Sequence, residues 1–483
     1  MTASIIPKSY SNVIYLQPSF SFTQDNFSAL RHLPYVKLAL DFPWEEVFAP
    51  IEQEYINARF HRNWDKRNQR NADESHVDLF PHLPRDVSAK PKKSSRGREG
   101  IDFYALLKSF LLAPLLYVEV MVTSVHLQVV GNSDFRMVCG FTGTPCLRTF
   151  ERFDQIMIEN GLWEKARQLM VNFNIQQGII EKEEQLAVDT THVEAEATLN
   201  AVRKCGHSEP CDCPKIPTDD NVGLMRKSNT VSYIAHKVAL VCGVKSELPL
   251  SRCVFKGGES DAITLEPTLE KVKQDLPEKF LENVQYVSAD GIYQSKDNQQ
   301  YAKNILQAKL LAPINPRKIK DQELDARGMA KLDKYGVPHC ISGHKLKLKG
   351  LDETKKQYVW TCPVFDPKYK QEGITCSEAC HIQCCSGAQT GRTVRIQQSQ
   401  TPQIDPEFPQ HLQSFKTKFS ERTAIERVNA QAKEGLSLRR AHKRGRVAVE
   451  AHVDRCIITS HVLAYMSVQE TGQLYRGWTK LSA

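Results

Sequence analysis

Three carboxylates and two cations in this chain have the types and spacing for metal-dependent phosphoryl chemistry. Asp189 stands near the end of LAVDTTHV, which alternates apolar and polar residues with the period of a strand. Asp290 follows the apolar part of VQYVSADGIYQS in the same manner. Glu426 lies in FSERTAIERVNAQAKEG, where Phe419, Arg422, Glu426 and Lys433 are separated by two, three and six residues. On one α-helix those four fall within a stripe roughly 60° wide. Ile425, Val428, Ala432 and Leu436 form the neighbouring stripe, suited to pack inward. Ser420 is placed to cap this helix and Gly435 to loosen its end.

A carboxylate at the end of a buried strand is held rigidly, because the backbone beneath it is already paired. Two such strands side by side bring Asp189 and Asp290 together, and a helix across the sheet brings Glu426 to the same point. Three close anions repel by about 4 kcal/mol per pair, taking a separation of about 4 Å and an effective dielectric of about 20. Divalent cations remove that penalty. Hard carboxylates that leave positions open for water and phosphate suit Mg²⁺ or Mn²⁺. Two such ions about 4 Å apart would activate a water or a 3′-hydroxyl and stabilise the leaving oxygen of an in-line displacement. Arg422 and Lys433, on the Glu426 stripe, would contact phosphates beside the metals. Taken alone, a surface helix with Arg–Glu pairing worth a few tenths of a kcal/mol accounts for the stripe equally well.

The elements that must position these groups are legible as patterns. Strand periodicity begins near residue 179 and continues through TVSYIAHKVALVCGV and LPLSRCVFKGG, a meander with the first strand. A helix follows over 261–276, which Pro267 bends or resets, then the strand ending at Asp290 and Gly291. A helix through NQQYAKNILQ and a strand at KLLAPIN complete the order β-β-β-α-β-α-β. That is the ordering of a ribonuclease-H-like α/β fold, a mixed sheet with flanking helices. Before it, residues 101–178 read as an all-helical unit with start signals at Asp102, Thr144 and Pro145. After it, 317–413 is a Cys-rich insertion with little apolar content and no evident core. Residues 414–483 complete the domain with the Glu-bearing helix and RVAVEAHVDRCIITSHVLAYMSV, read as amphipathic and packed on the sheet. Residues 1–100 form a polar region ending in the basic linker SAKPKKSSRGREG.

The helix spacing resembles the Y-(2)-R-(3)-E-(6)-K signature of insertion-sequence DDE transposases, with Phe419 in place of the tyrosine. AVDTTH, then YVSADGIYQS with Tyr293 beyond the acid, then the Arg–Glu–Lys helix stand in the order that family uses. DFRMVCGF followed by CLRTFERF is similar to its N-terminal region, with GREG where the family has a GRPP-like turn. The resemblance spans 98–465 and implies an enzyme that binds the terminal inverted repeats of its own element, cuts there and joins the ends to target DNA. It implies Asp189, Asp290 and Glu426 as the catalytic, Mg²⁺-binding trio, and a homodimer, since two ends must be joined. His236–Lys237 resembles a strand-borne pair of the family, and His192 also lies near a strand position. Loss of the signature tyrosine removes one hydroxyl from phosphate contact. A catalytically inactive or domesticated DNA-binding derivative, another ribonuclease-H-like nuclease and a zinc-stabilised interaction module are the alternative functions.

Bulk composition is that of an ordinary globular chain, 41% hydrophobic and 25% charged over 483 residues, enough for about three domain-sized units. The net charge of +8 is modest, but residues 414–446 carry ten Lys or Arg against three Glu. A basic segment around a carboxylate points to a phosphate-rich partner. The N-terminus shows no secretory pattern, and the most lipid-like stretch is broken by Lys108, Pro114 and Glu119, so buried helices and no membrane span are expected. A cytoplasmic, nucleoid-associated protein follows as the expectation. Fourteen cysteines in that setting suggest thiols or metal ligands. Cys340, Cys362, Cys376 and Cys380 are the candidates for one structural Zn²⁺, while CGHSEPCDC reads as loop thiols.

Overall fold

The computed structural model describes residues 32–73, 101–198, 219, 221–226, 232–314, 322–323, 329–376, 391–397, 408, 410 and 412–474. Helices lead the described chain: α1 (Pro34–Asp41), α2 (Trp44–Asp73), α3 (Phe103–Leu112), α4 (Val122–Gly131), α5 (Ser133–Cys139), α6 (Leu147–Glu159) and α7 (Leu162–Gln176). Asp102 caps α3, its carboxylate accepting the Ala105 N–H at 2.8 Å, as the start signal implied. α6 begins at Leu147, just beyond Thr144 and Pro145. α1 and the first turns of α2 do not behave as a polar leader. Tyr35, Val36, Leu38, Phe48 and Ile51 are buried in the same apolar core as α3–α7. The basic linker 88–100 lies outside the described residues.

The strands are β1 (Gln185–Glu194), β2 (Gly223–Arg226), β3 (Ser232–Gly243), β4 (Pro249–Lys256), β5 (Tyr286–Ser288) and β6 (Lys309–Leu311). Between them lie α8 (Leu265–Asp275), α9 (Glu278–Leu281) and α10 (Lys296–Leu306). The main sheet is mixed. β3 runs antiparallel to β1 with Asp189 opposite Leu240, and β4 and β2 share the other edge of β3. On its far side β1 pairs parallel with β5, and β5 with β6. The strands expected from periodicity are all present; β2, four residues in the long β1–β3 connection, is an addition. Pro267 falls in the first turn of α8, after a 3₁₀ turn at Asp261–Ile263, so it restarts the helix without bending it.

The insertion folds as two three-stranded antiparallel sheets. One is β7 (Gln322–Glu323), β8 (Met329–Leu332) and β9 (Pro338–Cys340). The other is β10 (Lys347–Asp352), β11 (Gln357–Thr361) and β12 (Thr393–Gln397). Contrary to expectation it has a core, made of Leu332, Val337, Cys340, Leu346, Tyr358, Trp360, Cys362, Val394 and Ile396. Strand alternation supplies it: Tyr358 and Trp360 on β11 face Val394 and Ile396 on β12, too sparse along the chain to raise mean apolar content.

The chain returns through α11 (Gln413–Ser420), α12 (Thr423–Gly435) and α13 (Arg446–Thr471). α13 is not amphipathic. It is buried on nearly every side between α7 and β4, with Asp454, Arg455, His452 and His461 buried beside Ile457, Ile458 and Leu463. It thereby welds the helical layer to the sheet. No helix among the described residues is long and apolar enough to cross a membrane.

Candidate active site

β1 and β5 pair with Ala187 opposite Ser288, so Asp189 and Asp290 each stand two residues beyond the same rung. Parallel neighbours are about 5 Å apart, which sets the two acids side by side. β1 is buried on both faces through Val188 and opens at Asp189. Asp290 is exposed and caps the 3₁₀ turn Gly291–Tyr293, its carboxylate accepting the Gly291 N–H at 2.7 Å. A Cβ on Gly291 would lie 3.0 Å from the Pro313 carbonyl oxygen, so the turn that presents Asp290 favours glycine.

Glu426 arrives on α12, which is tied to the sheet along its length. Before it, Gln185 donates to the Lys418 carbonyl at 3.1 Å. Within it, Arg427 grips Glu247 of the β3–β4 turn with two bonds of 2.9 and 2.7 Å, and burial of Ile425, Val428 and Ala432 fixes its rotation. After it, Glu194 exchanges backbone bonds with Arg439 and Ala441. The predicted single helix is in fact two. The chain passes from α11 to α12 through i→i+3 bonds at Arg422, Ala424 and Ile425, and neither Ser420 nor another side chain caps α12. Phe419 therefore ends α11, where its ring stacks on Phe415 at 6.0 Å and supports the Arg422 guanidinium 5.7 Å from its centroid.

Arg422, Asp290 and Glu426 all act electrostatically on Asp189, so the expected trio and its cation share one neighbourhood. Burial is the largest cause raising the Asp189 carboxyl, to about 6; Arg422 and the Thr190 N–H oppose it, and the charges on Asp290 and Glu426 add to it. Arg422 donates to Glu426 at 2.6 Å, so in this structure it neutralises the acid on its own helix. Lys433 lies two turns beyond Glu426, and its charge helps hold His192 neutral, after burial and alongside Lys237. Among the described residues no three His, Cys, Asp or Glu side chains stand close enough to hold a metal ion as they lie. Glu426, half exposed, is turned towards Arg422 and away from a shared position with the aspartates.

Several neighbours complete the surroundings of these acids, some of them not singled out in the sequence. Asn429, one turn after Glu426 and 8% exposed, donates to Asp189 at 3.3 Å while its own carbonyl oxygen is buried without a hydrogen-bond partner among the described residues. Thr190 donates to Asp261 at 2.8 Å, and buried Lys237 pairs with the same carboxylate at 2.6 Å. Tyr293, fully buried behind Asp290, meets the Thr264 hydroxyl at 3.2 Å. Tyr293 and Lys237 are singled out in the sequence by motif and strand position, and Asn429 stands i+3 from Glu426 on the helix; the contacts of Thr190, Asp261 and Thr264 carry no such signal. His236 is buried 3.6 Å from Asp219 and held neutral chiefly by burial.

Of the proposed zinc ligands, Cys340, Cys362 and Cys376 all contribute to the insertion core, and Cys380 lies outside the described residues, as does CGHSEPCDC.

No family model matches the chain, and no curated protein does. Among solved structures it is similar to a piggyBac transposase synaptic complex with hairpin DNA, at 11% identity and a TM-score of 0.34, over 81% of this chain and 72% of that one.

Proposed function

We propose that this chain is a DDE transposase, a metal-dependent enzyme that cleaves DNA strands at the terminal inverted repeats of an insertion sequence and transfers them. The observation that carries the reading is that Asp189 and Asp290 each stand two residues beyond the Ala187–Ser288 rung of the parallel strands β1 and β5, with Glu426 on α12 acting electrostatically on Asp189. The main sheet, with β2 and β4 along one edge of β3, β3 antiparallel to β1, and β1, β5 and β6 parallel neighbours, supports a ribonuclease-H-like domain.

The donor set fits a hard divalent cation: three carboxylates, one of them destabilised as an anion by burial and by the other two, with one guanidinium between them. Asp189, Asp290 and Glu426 would hold Mg²⁺ or Mn²⁺, which supplies Lewis acidity for phosphoryl transfer. The remaining work belongs to this chain. Asn429 orients the Asp189 carboxylate, and the Phe419 ring restrains Arg422. Arg422, once Glu426 turns away, offers its guanidinium to the scissile phosphate, and Lys433 neutralises a phosphate farther along the strand. The helical layer α3–α7 supplies DNA-binding surface, and two copies act on two ends.

A second reading, a catalytically silent DNA-binding derivative, is favoured by the Arg422–Glu426 ion pair, which satisfies the third acid without a metal. One experiment separates the two. Duplex DNA carrying the sequences that flank the coding frame is incubated with purified protein and Mg²⁺. Asp189→Asn, Asp290→Asn and Glu426→Gln should each abolish strand cleavage while end binding persists. Cleavage unimpaired by any of the three removes that residue from the site; binding without cleavage by the unaltered protein selects the silent derivative.

A further inference from the structure

Beyond the acid trio, the stripe of α12 leads into a groove of about 180 Å³ between the helical layer and the α12–α13 connection. Its walls include Tyr117, Glu119, Lys433, Arg439, Arg440 and His442. Tyr117 is 95% exposed, and its backbone is left-handed at φ 57°. A non-glycine residue in that region is strained unless its surroundings hold it there. They do: the Tyr117 N–H bonds to the Pro114 carbonyl, the Val120 N–H to the Ser437 hydroxyl at 3.1 Å, and Glu119 to His442 at 3.3 Å. The turn thus presents a large aromatic ring to solvent from a fixed mount. Packing does not explain the ring, since almost none of its surface is covered.

Lys433 borders the groove and is seven residues from Glu426, about 10 Å along the helix axis. Arg439 pairs with Glu434 and Arg440 with Glu196, all at the surface. Solvent screens such pairs, and a phosphate can replace the carboxylate in them. An exposed ring beside three cations matches the two surfaces of a nucleotide, a π-face and an anion. The groove, at about 180 Å³, is on the scale of one base and too small for a duplex.

We propose that this groove is a platform for one unpaired nucleotide of a DNA strand running from the acid trio, its base stacked on Tyr117 and its phosphates met by Lys433, Arg439 and Arg440. The assignment rests on the DNA-processing reading and adds to it a place where the helical layer and the catalytic domain hold strand together. Specificity for sequence is not required, because every base offers a face to stack.

The test uses the full chain and a single-stranded oligonucleotide containing 2-aminopurine, whose fluorescence falls on stacking. The unaltered protein should quench it. Tyr117→Ala, which removes no packing, should lose the quench and weaken binding by about 5- to 150-fold, the range of one aromatic–base stack. Tyr117→Trp should restore both. Equal quenching and affinity in Tyr117→Ala overturns the platform, and Mg²⁺-dependent duplex cleavage measured on the same preparations shows whether the wider reading stands without it. No DNA binding by the unaltered protein overturns both.

Discussion

At Asp189, burial and like charge have a measurable consequence. A carboxyl in the unfolded chain titrates near 3.9, and in the folded protein this one is pushed up to about 6. Between those values the folded state holds a proton the unfolded state has lost, so its contribution to stability falls as pH rises from about 4 to about 6, then levels. Asp189→Asn removes that cost. Two units correspond to at most about 3 kcal/mol, and partial exposure reduces this to about 1–2 kcal/mol. Thermal unfolding of the metal-free proteins should show the variant more stable at pH 7 and the two converging near pH 4; parallel curves would place the raised carboxyl elsewhere. Mn²⁺ affinity should run the other way, strengthening about tenfold per unit up to pH 6 and then flattening, because the ligand must first lose its proton. The cations of the stripe have their own signature. Arg422→Ala and Lys433→Ala should each weaken end binding and reduce the slope of log affinity against log salt by about 1. An unchanged slope for Lys433→Ala would mean that it meets no phosphate. Phe419 bears on the first of these, since its ring restrains the guanidinium that Arg422 would offer.

At the scale of elements, α13 holds the acids in place indirectly by fixing β4 and α7 on either side of itself. Asp454 on α13 accepts from Arg167 of α7 at 2.8 Å and from Arg252 of β4 at 3.0 and 2.7 Å, all three nearly fully buried. Arg167 also pairs with Asp275 at 2.9 Å. Burial alone would raise Asp275, yet Arg167, Lys271 and Ser251 hold it down to about 2. Removing one acid from such a network strands buried cations. Asp454→Asn is therefore expected to cost about 3–5 kcal/mol, read by urea unfolding, and a change below 1 kcal/mol would show that water reaches the network. None of this was legible in sequence, because partners hundreds of residues apart leave no local pattern. α13 in particular misled: a helix buried on all sides has no apolar stripe, and its Asp, Arg and His residues read as a wet face. What was legible had short-range causes. The alternation of β1, the 3.6-residue stripe of α12 and the Asp102 cap each follow from neighbours within a few positions. The nearness of Asp189, Asp290 and Glu426 was legible because helix spacing and strand ends expose it, whereas the Thr190–Asp261–Lys237 contacts arise from strand register and tertiary approach. The α11–α12 break at Arg422 was missed because no Gly or Pro marks it.

At the scale of the whole molecule, a clasp among the described residues joins the two ends of the main-sheet unit between which the insertion lies. Gln410 donates to the Ala312 carbonyl at 2.8 Å and accepts the Ile314 N–H at 2.7 Å, so the end of the β6 segment and the approach to α11 are held within one side chain's reach. The insertion has its own apolar core, separate from the one that runs from α1 to α13. Two cores and a closed neck imply two stability units. Replacing 316–407 by a short Gly/Ser linker should leave the remaining chain folded, since the clasp already fixes the ends and closure entropy changes slowly with loop length. Cooperative unfolding should persist within about 1–2 kcal/mol of the full chain, and Gln410→Ala should matter more in the shortened protein than in the intact one. A shortened chain that no longer unfolds cooperatively would show that the insertion supports the main-sheet core. The same pair of proteins tests the zinc proposal. If Cys340, Cys362, Cys376 and Cys380 hold a structural ion, zinc should be near stoichiometric in the intact chain and lost on excision. Cys362→Ser should then destabilise the insertion's transition alone. Sub-stoichiometric zinc in the intact protein would instead leave the Trp360–Tyr358–Ile396 core as the sole support of that unit, a core of a size that seldom stands without a staple.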